Sequence, residues 1–170
     1  ISLSLLDKMH NADKSYDSNL SFPCTVKELL SECCQQCNIT LGDATFPNAD
    51  FQIQQAPSNA TYRTVIGMCA GIAGGNARID ENDLLRIITF DKNFTNTSAR
   101  SGDNSNGSDY HVLSSIQNLQ YDVDDIIATG VKYVEDETEY MSGQDGYVIT
   151  IDNQLLSGNA RTGIEAIGSQ

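Results

Sequence analysis

Apolar residues recur at helical spacing in two stretches of this chain that match each other position by position. Val26, Leu29, Leu30, Cys33, Cys34 and Cys37 form the first stripe. Thr25 precedes it as an N-cap with Glu28 three residues on, the capping box that satisfies the first free N–H groups of a helix. A helix over residues 26–36 is predicted. In the second stretch Thr61 stands where Thr25 did, Val65 and Ile66 replace Leu29 and Leu30, Cys69 replaces Cys33, and Ala73 replaces Cys37. A second helix over residues 62–73 is predicted, ending at Gly74-Gly75, where glycine accepts the left-handed conformation of a C-cap. Its Gly67, Ala70 and Gly71 predict close approach by a neighbour. A Thr start, an apolar pair one turn in and a small residue facing inward a turn later describe a packed helix, not a catalytic site.

Around these helices the pattern is extended. Ile1, Leu3 and Leu5 alternate as in a strand, and a chain that opens this way without Met reads as a piece of a longer polypeptide. A short polar helix near residues 7–11 follows, and Pro23 closes the lead-in. Residues 38–42 read as an extended exit from the first helix, 46–51 as a turn into an extended piece at Ile53, and 57–60 as a break. Residues 76–79 and 84–90 flank the polar run Asp80-Glu-Asn-Asp83 as a hairpin. From 91 to 109 the chain turns to Asn, Ser, Thr, Gly and Asp, the composition of a loop or linker. Beyond it, residues 110–120, 126–135 and 146–152 are β-rich, with 147–151 the clearest strand and 142–146 the clearest turn. The fold class is therefore α+β: two helix-plus-extended or hairpin units followed by a β-rich sheet or partial barrel. Residues 1–90 form the α+β domain with the two Thr-capped helices, 91–109 the polar loop or linker, and 110–170 the β-rich segment.

Composition narrows the functions. The 170 residues are 39% hydrophobic and contain no Trp, enough for one moderate core or two small ones. A net charge of -13, with only ten Lys and Arg, excludes tight nucleic-acid binding, which needs clustered cations to neutralise phosphates. No apolar run approaches the roughly 20 residues that span a bilayer, so no membrane insertion is expected. The opening residues are too short, and lack the basic flank, for a signal peptide.

Five cysteines, at 24, 33, 34, 37 and 69, crowd the first half. Cys33 and Cys37 lie one helical turn apart and could share a metal, with Cys24 and Cys69 completing a set of four. Against this, Cys69 repeats the inward position of Cys33, and no Cys-x2-Cys pair follows downstream. Buried reduced thiols from a reducing compartment are the main reading; a metal-binding or enzymatic module built on Cys24, Cys33, Cys37 and Cys69 is the alternative. Other chemistry finds less support. The run from Asp103 to Asp109 lacks calcium-loop spacing, because placing Gly107 sixth puts Gly102 where the first carboxylate belongs. The glycines from 71 to 75 follow a helix and precede no Lys-Ser or Lys-Thr, so they end a helix rather than cradle phosphate. The pair Asp124-Asp125 and the run Glu135-Asp-Glu-Thr-Glu139 sit in polar stretches without an apolar pocket to raise a carboxyl pKa. His10 and His111 stand far apart, with no nucleophile motif beside them. Five Asn-x-Ser/Thr triplets, starting at 38, 59, 93, 96 and 106, reflect an Asn-, Ser- and Thr-rich composition. No catalytic, cofactor-binding or metal-ligating residue is assigned, and the chain is not expected to be an enzyme.

An ordered series of short motifs carries a resemblance. It comprises Ser4-Leu-Leu-Asp7-Lys-Met-His-Asn-Ala-Asp-Lys14-Ser-Tyr16, Phe22-Pro-Cys-Thr25, Phe46-Pro-Asn-Ala49, Thr61-Tyr-Arg-Thr-Val-Ile-Gly67, Ala73-Gly-Gly-Asn-Ala-Arg-Ile79 and Leu84-Leu-Arg-Ile87. Ile127-Ala-Thr-Gly-Val131, Gly143-Gln-Asp-Gly-Tyr-Val-Ile149 and Asp152-Asn153 continue it. The series resembles the tail hub proteins of phages and prophages of Gram-positive bacteria over most of the chain. The resemblance implies an inserted α+β domain with neighbouring strands, cut from a trimeric hub that joins the tail tube to the tip or receptor-binding apparatus. It implies partners that are copies of the chain itself and adjacent tail tube and tip proteins, a place in the virion tail after synthesis in the bacterial host cytoplasm, and no catalytic residues in this region. The acidic balance would discourage DNA from sticking wherever a face lined the tube.

Overall fold

The computed structural model describes residues 7–89, 130–143 and 148–169. The strand expected at 1–5, the loop at 91–109 and the β-rich stretch at 110–120 lie outside the described residues. The chain divides into two compact units, one formed by Ile1–Phe90 with Ala128–Gln170 and the other by Asp91–Ile127. All the described residues belong to the first unit.

Its fold is α+β. A 3-10 helix at Lys8–Ala12, capped by Asp7, opens it. Strand β1 (Cys24–Thr25) leads into α1 (Val26–Gln36), then β2 (Thr40–Leu41) and β3 (Gln52–Ile53). Helix α2 (Tyr62–Ile72) leads into the hairpin of β4 (Gly75–Ile79) and β5 (Leu84–Thr89). Strands β6 (Gly130–Glu135), β7 (Thr138–Gly143) and β8 (Val148–Thr150) come next, then a 3-10 turn at Gln154–Leu156 and α3 (Ala160–Gly168). β1 pairs antiparallel with β3. A second sheet runs β2-β5-β4, with β2 parallel to β5, and a third runs β7-β6-β8, with β8 parallel to β6.

The two matched helices form as expected and pack on each other. At α1 the Thr25 hydroxyl accepts from the Glu28 N–H at 3.1 Å while the Glu28 carboxylate accepts from the Thr25 N–H at 2.7 Å. The next free donors, the N–H groups of Val26 and Lys27, are met by the carbonyls of Phe51 and Ala49. At α2 the Thr61 hydroxyl accepts from the Thr64 N–H at 3.2 Å, but Thr64 stands where Glu28 closed the box, so the reciprocal bond is absent there. Each helix therefore starts from a paired extended residue: Thr25 lies in β1, and Thr61 bridges Ser15. The Gly74 end of α2 adopts the left-handed conformation at φ 73°. Of the small residues on α2, Ala70 is buried and Gly71 faces Asn153, whereas Gly67 meets nothing on its open side.

Residues from 148–169 pack into the core of residues 7–89, across the boundary drawn from the sequence between 90 and 110. Leu155, Leu156, Ile164 and Ile167 join Leu29, Leu30, Ile53, Val65, Ile66, Ile72 and Leu85 in one apolar cluster. Two asparagines fasten this junction. Asn153, 3% exposed, donates to the Met68 carbonyl at 2.9 Å and accepts from the Leu155 N–H at 3.0 Å. Asn48 donates to the Ile72 carbonyl at 2.7 Å and the Ala166 carbonyl at 3.2 Å, so one side-chain amide serves the last turns of both α2 and α3. Gly163 lets α3 approach, because a β-carbon there would run into Leu156 and Phe51.

Candidate functional site

All five cysteines are free thiols and all are buried. Cys33 and Cys69, the matched pair, are fully buried, on facing helices. Burial is the first reason that every one of these thiols is held in its neutral form. It pushes Cys24 up to about 11 and Cys34 up to about 12, and drives Cys33 and Cys69 higher still. The neighbouring sulfur of Cys69 adds to the effect at Cys33. At Cys37 burial raises the pKa and the Lys14 ammonium partly offsets it. Thiolate is the nucleophilic form of cysteine, so thiols in this setting are poor nucleophiles. The sequence-derived set Cys24, Cys33, Cys37 and Cys69 does lie in one core. Among the described residues, no three His, Cys, Asp or Glu side chains converge as a metal would require.

Beside the thiols runs a polar seam that the sequence did not disclose. The hydroxyl of Tyr16 and both carboxylate oxygens of Glu32 are buried without a hydrogen-bond partner among the described residues. Burial holds the Tyr16 hydroxyl up at about 12, with Ser18 partly offsetting it and the nearby Cys33 and Glu32 adding to it. The Tyr16 ring meets Tyr62 edge-on at 5.2 Å, and the Tyr62 hydroxyl donates to the Asp17 carbonyl. The Lys14 ammonium lies 5.4 Å over the Tyr62 ring and donates to the Gln36 carbonyl at 2.7 Å, at the end of α1 where a cation is favoured. The seam ties the lead-in chain to both helices.

The remaining charged candidates are braces. Asp13 accepts from Arg63 and lies 3.2 Å from His10 Nδ1, and the Arg63 bond holds its carboxyl below the usual range. Arg86 reaches Asp80 at 2.9 Å, Asp43 at 2.9 Å and the Gly42 carbonyl at 2.8 Å, while Asp43 also accepts from the Ile87 N–H. In the acidic run, Glu135 accepts from the Ser157 hydroxyl and the Gly158 N–H, and Glu139 pairs with Lys132 at 3.2 Å. His111, Asp124, Asp125 and the 103–109 run lie outside the described residues.

A shallow open cleft is lined by Lys27, Phe46, Asn48, Asp50, Phe51 and Thr162, where the 44–51 turn faces α3. Neither a cysteine nor the Tyr16 and Glu32 pair lines it. Among the described residues no helix is long and apolar enough to cross a membrane. Among the described residues the large apolar side chains most exposed are Ile88, Val134, Met141 and Ile149, all on strands of the two three-stranded sheets. No family model, curated protein or solved structure matches the chain.

Proposed function

We propose that this chain is a structural module of a phage or prophage tail, part of the hub that links the tail tube to the tip apparatus through protein–protein contacts. In the full-length protein it assembles with copies of itself, as a trimer, and with neighbouring tube and tip proteins in the virion tail. Its work is done by surfaces and not by a reaction. The motif series from Ser4 to Asn153 is the ground for the family, and the disposition of the reactive groups is the observation that carries the mechanism. Every thiol is buried and held neutral, and in the acidic run Glu135 braces the loop before α3 while Glu139 pairs with Lys132 on β6. The formal charge of -13 suits a part that must assemble beside DNA without binding it.

Mass spectrometry of purified tailed particles, induced from the bacterium that encodes the chain, tests this reading. Peptides of this chain are expected in the particles at a copy number that is a small multiple of three. Their absence from intact particles, with the protein present in the cell, overturns the tail assignment.

A further inference from the structure

Of the three strands that end the two larger sheets and run beyond two residues, β7 is the least protected. Natural sheets guard their edges with lysine, proline, a bulge or brevity, since an open row of N–H and C=O groups pairs readily with another chain. β8 is short, at Val148–Thr150, and β4 carries the exposed Arg78. β7 runs six residues, contains no Lys, Arg or Pro, and among the described residues pairs through one side only, with β6. Helix α3 packs against β6 and β7, and the half-buried Tyr140 packs against the core on that side. On the opposite face the pairing register sets Met141 across from Lys132 and Val134 across from Glu139. Met141 is 50% exposed and Val134 44% exposed, so two apolar side chains lie diagonally adjacent on an open face. Asp136, Glu137 and Glu139 lie at the turn end of this face, all exposed, and Lys132 pairs with Glu139.

We infer that the free edge of β7 accepts an extended, basic segment of a partner protein as an added strand. The backbone of that segment pairs with β7, its apolar side chains cover Val134 and Met141, and its Lys or Arg side chains meet Asp136 and Glu137. Alternation makes this possible, because one face of a strand supplies the apolar groups while the edge supplies the hydrogen bonds. Charge decides the occupant. A second copy brought edge to edge would add a second set of Asp136, Glu137 and Glu139 to a molecule already of charge -13, with no cation on either β7 to offset them, and that self-repulsion disfavours the pairing. The inference stands on the geometry of this sheet and does not require the tail assignment.

The test uses the full chain and two synthetic ten-residue peptides, one alternating Lys with Val and one alternating Glu with Val, followed by amide chemical shifts. The basic peptide is expected to bind, with shifts concentrated on β7 and with affinity falling as salt rises. Met141→Lys is expected to weaken binding by roughly tenfold or more. Glu137→Lys, at a turn tip where folding is not at risk, is expected to weaken it too and serves if the first variant fails to fold. Equal binding of the acidic peptide, no binding of the basic one, shifts away from β7, or self-association through β7 would each overturn the proposal.

Discussion

Cys33 and Cys69 show what a single position asks of its side chain. Both are fully buried between facing helices and both are held as neutral thiols by burial. A thiol there behaves as a small apolar group, so replacement should follow packing and not reactivity. Cys33→Ala and Cys69→Ala are expected to cost about 1 kcal/mol each in denaturant melts, and the Ser variants about 1–3 kcal/mol, because a buried hydroxyl would have no partner. Ser variants as stable as the Ala variants would contradict this. Asp80 shows a different demand: its Oδ1 accepts from the N–H groups of Asn82 and Leu84, and its Oδ2 from Arg86. The Arg86 bond, helped by the backbone bonds, holds its carboxyl below the ordinary value of 3.8. The stabilisation is complete above that value and is lost as pH falls through the lower, folded one. The melting temperature of the wild type should therefore exceed that of Asp80→Asn at neutral pH, and the gap should narrow in acid. A gap that stays constant down to pH of about 2 would contradict the assignment.

Elements were legible where local chemistry and packing agree. Thr25 with Glu28, and Thr61 with an apolar stripe behind it, marked α1 and α2, and the Asp80–Asp83 run marked the β4–β5 turn. Two elements in the last third were not assigned from the sequence. β7 hides behind a two-residue turn, Asp136-Glu137, with φ of 47° and 65° at its centre. Such turns favour Asn-Gly or Asp-Gly, and Glu in the left-handed region is a poor signal, so the acidic run read as solvated edge instead of hairpin. α3 lacks a side-chain cap at Asn159 and contains Gly163, which weakens helix propensity. The available sign was Ala160, Gly163, Ile164 and Ile167 at helical spacing, the residues that the structure buries. Asn48 connects the last turns of α2 and α3, and Asn48→Ala would leave the Ile72 and Ala166 carbonyls without that donor. A loss of about 1–3 kcal/mol is expected in denaturant melts. A change near zero would contradict the role given to this amide.

At the scale of the whole molecule, residues 7–89 and 148–169 share one core, although the polar stretch from 91 onward suggested a division. Periodicity reports which face of an element is apolar and says nothing of which distant element will cover it; Leu155 and Leu156, both fully buried, gave no hint that they belonged with α2. The seam of Tyr16 and Glu32 was hidden for the same reason, since only tertiary packing brings a lead-in tyrosine beside a carboxylate on α1. Among the described residues, Val134 and Met141 face outward side by side next to the open edge of β7, and this is the surface that the proposed contacts would use. Immunogold labelling of tailed particles with antibodies against this chain tests that account most directly. Gold at the distal end of the tail is the predicted result; intact particles without label there, alongside labelled protein elsewhere in the cell, would contradict it.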